Sequence, residues 1–221
     1  GASTGGFTQV LLERGARHVV AVDVGHDQLA PALRDDPRVL DLSRTTVRGL
    51  TPSAIGGPVD LLVGDLSFIS LTMVLPDLRS LVRSTGQLVL LVKPQFEVGR
   101  DRLGSGGVVR DPELRREAVH RVCVTAVQEG LQLHAVRASR WPGPSGNVEY
   151  FVWLAPVPVP THGQSPGHRE ATPQALDDPP VTTTSTGAGT IVPEGAVGVP
   201  GTTDVARIES VVRAAIEEGP A

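Results

Sequence analysis

Lysine is almost missing from this chain. Of 20 basic residues one is a lysine, Lys93, and 19 are arginine. Arginine carries a permanent charge on a bidentate fork, whereas lysine carries a compact ammonium that can be tuned to trade a proton. An arginine would serve any ordinary surface charge. The one retained lysine therefore points to chemistry that needs a titratable amine, either acid–base work or activation of a hydroxyl; the rival reading is a leftover of composition. Cysteine is as scarce. The single Cys123 excludes an internal disulfide framework and fits a reducing compartment. The six histidines have no metal-ligand spacing, so no metal is expected. No apolar run approaches a membrane span, and no signal-peptide pattern opens the chain. The expectation is a cytoplasmic protein with no membrane partner.

What is present divides near Ala155. Residues 1–155 alternate apolar runs with Gly, Pro and Asp turns. Residues 156–203 are Pro, Thr, Gly and Ser with almost no large apolar side chain. Such a stretch cannot bury enough apolar surface to offset its ordering entropy, and it reads as a disordered linker. Over 204–218, Val205, Ile208, Val211, Val212 and Ile216 recur at helical spacing behind Asp204, which predicts a short capped amphipathic helix. It has three readings: docked on a partner, docked on the domain, or a frayed tail. The net charge of −4 divides the same way. Residues 1–155 carry 17 basic and 16 acidic side chains, while the tail carries 3 and 8. The domain is thus not acidic, nor is it a polybasic binder, so nucleic-acid affinity would have to come from local arginine patches or another module.

Within the domain, short apolar segments read as strands at 18–24, 38–42, 59–66 and 87–92. A strand pair follows at 131–139 and 148–154. Helical spacing falls at 28–34, 71–83 and 112–129, the last with Leu114, Ala118, Val122 and Ala126 on one face. Apolar strands alternating with helices mean an α/β sheet covered on both faces. Ligands of such sheets bind at the carboxyl ends of strands, where Asp23, Asp65 and Lys93 stand. The chain opens GASTGGF, with three glycines in six residues, ahead of a helix and the strand that ends at Asp23. A glycine turn lets backbone approach a ligand, and an acid at the next strand end can accept ribose hydroxyls. No GKS or GKT follows, so a nucleoside-type cofactor, a dinucleotide or S-adenosylmethionine, is favoured over a phosphate cradle. A tight turn with a surface aspartate is the plainer alternative.

The segments GASTGGFT, AVDVGHDQL, DLLVGDLSFISL, LVKPQFEVGR and GNVEYF, in this order, closely resemble the TlyA (haemolysin A-like) ribosomal RNA methyltransferases, which are FtsJ-like 2′-O-methyltransferases. The resemblance spans residue 1 to about 156. It implies a Rossmann-like, S-adenosylmethionine-dependent methyltransferase sheet of seven strands. S-adenosylmethionine would lie along Gly1, Ala2, Ser3, Gly5, Gly6 and Phe7, with Asp23 on its ribose, Asp41 or its neighbours toward its adenine and Asp65 near its far end. It further implies a catalytic Lys-Asp-Lys-Glu tetrad, whose last three members match Asp65, Lys93 and Glu149. A ribose 2′-hydroxyl is a poor nucleophile that must lose its proton as it reacts. A lysine between two carboxylates would orient it and stabilise the developing alkoxide. Ribosomal RNA or ribosomal subunits are the implied partners. The family's first strand, first tetrad lysine and S4-like RNA-binding domain would all precede Gly1, so a longer parent protein is expected. The competing functions are methylation of a non-RNA substrate, a cytolysin, and an inactive ribosome-binding fragment. Two further segments draw interest. Trp141 with the PGPSGN loop would stack a base or simply pack, and the arginine-bearing loop 97–110 reads as mobile and RNA-facing, with a plain solvated loop as its rival.

Overall fold

The computed structural model describes residues 1–158 and 201–219. The linker expected at 156–203 therefore lies, from 159 to 200, outside the described residues. Among the described residues six strands form two sheets. β1 (Val19–Val22) pairs in parallel with β2 (Val39–Leu42), with Ala21 opposite Asp41. The second sheet has the order β3-β4-β6-β5, from β3 (Val59–Gly64), β4 (Val82–Val92), β5 (Leu131–Ala138) and β6 (Tyr150–Pro156). β3 and β4 run parallel, and β6 runs antiparallel to both β4 and β5. Among the described residues β1 and β3 are sheet edges with no strand between them. Gly1 lies between their carboxyl ends: its amino group donates to the Val22 carbonyl at 2.8 Å, and a Cβ there would overlap the Asp65 carbonyl.

The helices are α1 (Gly6–Glu13), α2 (Pro31–Arg34), α3 (Leu75–Ser80), α4 (Pro94–Glu97), α5 (Pro112–Gln128) and α6 (Val205–Glu217). The helix expected at 71–83 is shorter than its apolar spacing indicates. A 3₁₀ turn (Leu71–Met73) precedes α3, whose second residue is Pro76, and the chain is already extended at Val82. Tertiary pairing overrides helical spacing here. Val82 pairs with Val59, and the next pair is Leu61 with Gln87, so residues 83–86 bulge out of the ladder. Arg83 ties the bulge back through the Pro58 carbonyl and Asp60, both at 2.9 Å.

Leu88, Leu90 and Val92 of β4, Tyr150, Val152 and Leu154 of β6, and Leu131, Leu133 and Val136 of β5 share one buried face. Val119, Val122, Cys123 and Ala126 of α5 cover it, each wholly buried. Full burial of an aliphatic side chain contributes about 1.5–3 kcal/mol, so this layer is the main source of stability. Of the three readings for 204–218, the structure takes docking on the domain. Ile208, Val212 and Ala215 have no exposed surface and join the same core. Thr202 and Leu133 exchange two backbone hydrogen bonds of 2.8 Å, Asp204 caps the Ala206 amide at 2.9 Å, and Arg116 pairs with Glu209 at 2.7 Å. No helix among the described residues is long and apolar enough to cross a membrane.

Candidate active site

β3 and β4 lie side by side in parallel, with Gly64 opposite Leu90. A Cβ at Gly64 would meet the Leu90 side chain at 2.8 Å, so glycine allows the strand ends to close together. The residues that follow, Asp65 and Lys93, therefore emerge from one edge of the sheet. Lys93 Nζ lies 2.7 Å from Asp65 Oδ1 and donates to Ser67 Oγ at 3.0 Å. β6 enters antiparallel on the other flank of β4, pairing Tyr150 with Val92, and this brings Glu149 beside Lys93. Glu149 is 6% exposed. Burial raises its pKa above the ordinary value, and the Asp65 charge adds to that; the Lys93 ammonium and a hydrogen bond from Gln95 oppose it. Glu149 Oε1, Gln95 Oε1 and Asp65 Oδ1 are all buried without a hydrogen-bond partner, Asp65 having only its ion pair. Buried acceptor oxygens on Asp65 and Glu149 thus flank the Lys93 ammonium, an arrangement suited to a ligand that brings hydroxyl protons.

The glycine loop and Asp23 also meet. The Ser3 and Gly25 amides each donate to an Asp23 oxygen at 2.8 Å. Partial burial pushes Asp23 up, but these two bonds together hold its pKa below the ordinary value, so it stays an ionised acceptor. Gly5 adopts φ 101°, and a Cβ there would strike Leu29 and Leu33. Ala2 donates to the Val22 carbonyl at 3.0 Å, while Gly6 and Phe7 open α1 with the Phe7 ring part exposed. Asp41 stands apart on β2, where it accepts from Ser43 Oγ at 2.7 Å. Among the described residues no group of three His, Cys, Asp or Glu is placed to hold a metal ion.

Several residues at the site have no signal in composition or spacing. Ser67 and Gln95 are polar positions inside the quoted motifs whose partners appear only in three dimensions. Phe68 is 91% exposed with φ 64°, its ring 5.2 Å from that of Phe96 beside Lys93. Trp141 is 82% exposed, which removes the reading of a packed loop aromatic. The loop 97–110, expected to be mobile, is tied down. Asn147, 2% exposed, accepts from the Val109 amide and donates to the Gly107 carbonyl, both at 2.9 Å. Arg102 is engaged by Glu117 at 2.6 Å, while Arg100 and Arg110 stay exposed. Asn147→Ala orphans both loop groups and should cost about 1–3 kcal/mol in urea unfolding, against no change for Arg100→Ala.

Residues 1–155 match the family described as FtsJ-like methyltransferase. Over 154 residues the chain is 62% identical to the 16S/23S rRNA (cytidine-2′-O)-methyltransferase TlyA of Mycobacterium tuberculosis. The aligned part is 70% of this chain and 58% of that protein, so the chain spans under two thirds of this relative's length. A solved structure of a candidate hemolysin from Streptococcus thermophilus superposes with a TM-score of 0.70 at 32% identity, covering 99% of this chain and 65% of that one. A candidate S-adenosylmethionine-dependent methyltransferase from Listeria monocytogenes superposes at 0.52 with 14% identity, covering 71% and 87%, and shares the fold.

Proposed function

Because this chain belongs to the FtsJ-like methyltransferase family, we propose that it transfers a methyl group from S-adenosylmethionine to a ribose 2′-hydroxyl of ribosomal RNA, working on ribosomal subunits in the cytoplasm. The observation that carries this reading is Lys93 set between Asp65 and Glu149 at the strand ends, next to the glycine loop. Bound S-adenosylmethionine supplies an electrophilic methyl on a sulfonium. The chain's residues fit it. Asp23 is an ionised carboxylate with lone pairs left for ribose hydroxyls, Val24 beside it is 73% exposed, and Gly1, where a Cβ would overlap the Asp65 carbonyl, lets the glycine loop lie directly against the strand end that carries Asp65. Ser3, Gly5, Gly6 and Phe7 line the approach, and Asp41 belongs to the adenine side.

Lys93 does the orienting. Its ammonium, 2.7 Å from Asp65 and beside Glu149, holds the hydroxyl oxygen and stabilises the charge that builds there as the proton leaves. The proton is received by the carboxylates or by solvent, since an ammonium cannot act as the base. Phe68 offers a solvent-facing ring on which a substrate base can stack. The test is transfer of a tritiated methyl group to purified ribosomal subunits. Label in RNA supports the reading, and label absent from RNA, or found in protein, refutes it.

A pH prediction follows from Glu149. Its folded pKa lies above the unfolded value of 4.5, so as pH falls through that window the folded state takes up a proton first. Stability rises there. Glu97, also raised by burial, adds in the same direction. Transfer should fall over the same window, because Lys93 loses a carboxylate partner. Thermal melts and single-turnover rates from neutrality down to 4.5 should diverge, and Glu149→Gln should weaken both dependences.

A further inference from the structure

We infer that Glu97 is a positioning residue for this transfer: its carboxylate locks the turn after β3, which carries Asp65, Ser67 and Phe68, against the turn after β4, which carries Lys93. The inference rests on the proposed role of Lys93. Glu97 closes α4 and is 6% exposed. Its Oε1 accepts from the Leu71 amide at 2.7 Å and its Oε2 from Ser70 Oγ at 2.5 Å. Arg121 of α5 donates to its backbone carbonyl at 3.1 Å. Ser70 in turn accepts from the Thr72 amide at 3.2 Å and shares a hydrogen bond with Thr72 Oγ1 at 2.6 Å. One buried carboxylate therefore holds the far end of the turn that begins at Asp65.

Two physical arguments give this clamp a role beyond packing. A buried carboxylate is a poor source of stability, since its desolvation opposes what its partners return. Burial accordingly raises the pKa of Glu97 despite Ser70, Leu71 and Arg121. What such a group supplies is direction: its two oxygens fix two donors at once. The clamped turn also needs direction, because Phe68 sits at φ 64°, in the left-handed region that a residue with a side chain rarely adopts. A released turn relaxes toward ordinary φ, and Asp65 and Ser67 shift from Lys93 with it. Glu97 touches neither Lys93 nor Asp65 in any hydrogen bond or ion pair, so its effect passes through the turn.

The experiment compares Glu97→Ala, Glu97→Gln and Ser70→Ala in the whole chain, measuring kcat and KM on ribosomal subunits, S-adenosylmethionine affinity, and amide exchange over residues 65–71. Displacing a reacting group by about 1 Å costs on the order of 100-fold, and Glu97→Ala should lose about that in kcat with KM and cofactor affinity nearly unchanged. Glu97→Gln should recover most of the rate, because its amide oxygen still accepts from Leu71 and its amide nitrogen donates to Ser70. Ser70→Ala, which keeps the carboxylate, should fall between them and serves if Glu97→Ala does not fold. Equal loss in the Gln and Ala variants, or a lower melting temperature with kcat unchanged, overturns the inference. If the unmutated chain puts no label into RNA, it is the proposed function that fails. Exchange over 65–71, faster in Glu97→Ala and unchanged in Glu97→Gln, still decides whether the clamp exists.

Discussion

Lys93→Arg is expected to abolish measurable methyl transfer, a loss of about 1,000-fold or more, while S-adenosylmethionine affinity stays within about twofold. The lysine side chain is only 12% exposed, and its ammonium reaches Asp65 and Ser67 at 2.7 and 3.0 Å. A guanidinium keeps the charge and so keeps Asp65 paired, which protects the fold. It is longer, planar and forked, however, and it fills the space in which a ribose hydroxyl would meet a compact donor. None of the proposed cofactor contacts at Ser3, Gly5 or Asp23 involves Lys93, so binding should survive. Single-turnover transfer measured beside equilibrium dialysis separates the two effects. Substantial turnover in Lys93→Arg would remove Lys93 from the reaction and take with it the argument from the lone lysine.

The second large effect concerns stability. Ile208→Asp should destabilise the chain by about 3–5 kcal/mol, because it buries a carboxylate in an apolar contact with no partner. Ile208 is wholly buried with Val212 and Ala215, in the core shared with α5 and β5. Val205→Asp, at a position 51% exposed on the same helix, should shift stability by no more than about 0.5 kcal/mol. Urea unfolding of the two variants beside the parent chain provides the comparison. If Ile208→Asp behaved like Val205→Asp, α6 would not be docked in solution, and the first β5 residues would lose their cover.

Much of the fold is written locally. The periods that mark β1, β3, β4 and α5 are adjacent in sequence, as are the aspartates that cap α5 and α6 at Asp111 and Asp204. The exception at 71–83 is instructive: helical spacing runs on to Arg83, yet pairing with Val59 draws the chain into β4 at Val82. The partition of the sheet and the docking of α6 are likewise set by partners distant in the chain. The same distinction runs through the site. Asp23, Asp65 and Lys93 stand out because each follows an apolar strand, and a strand end is a local feature. Glu149 is visible only through the resemblance that marks GNVEYF. Glu97, Asn147, Ser67 and Gln95 look like any other polar residues in a loop.

By itself, then, the sequence determined the α/β class, the strand ends at which Asp23, Asp65 and Lys93 stand, and the one amine on which the proposed chemistry rests, because each depends on residue type and short-range period. Tertiary structure alone decided that Asp65, Lys93 and Glu149 converge, that Glu97 and Asn147 clamp their loops, and that α6 folds back on the core. Convergence depends on strand order and register, and a buried polar group acquires its role only from the distant partner that satisfies it.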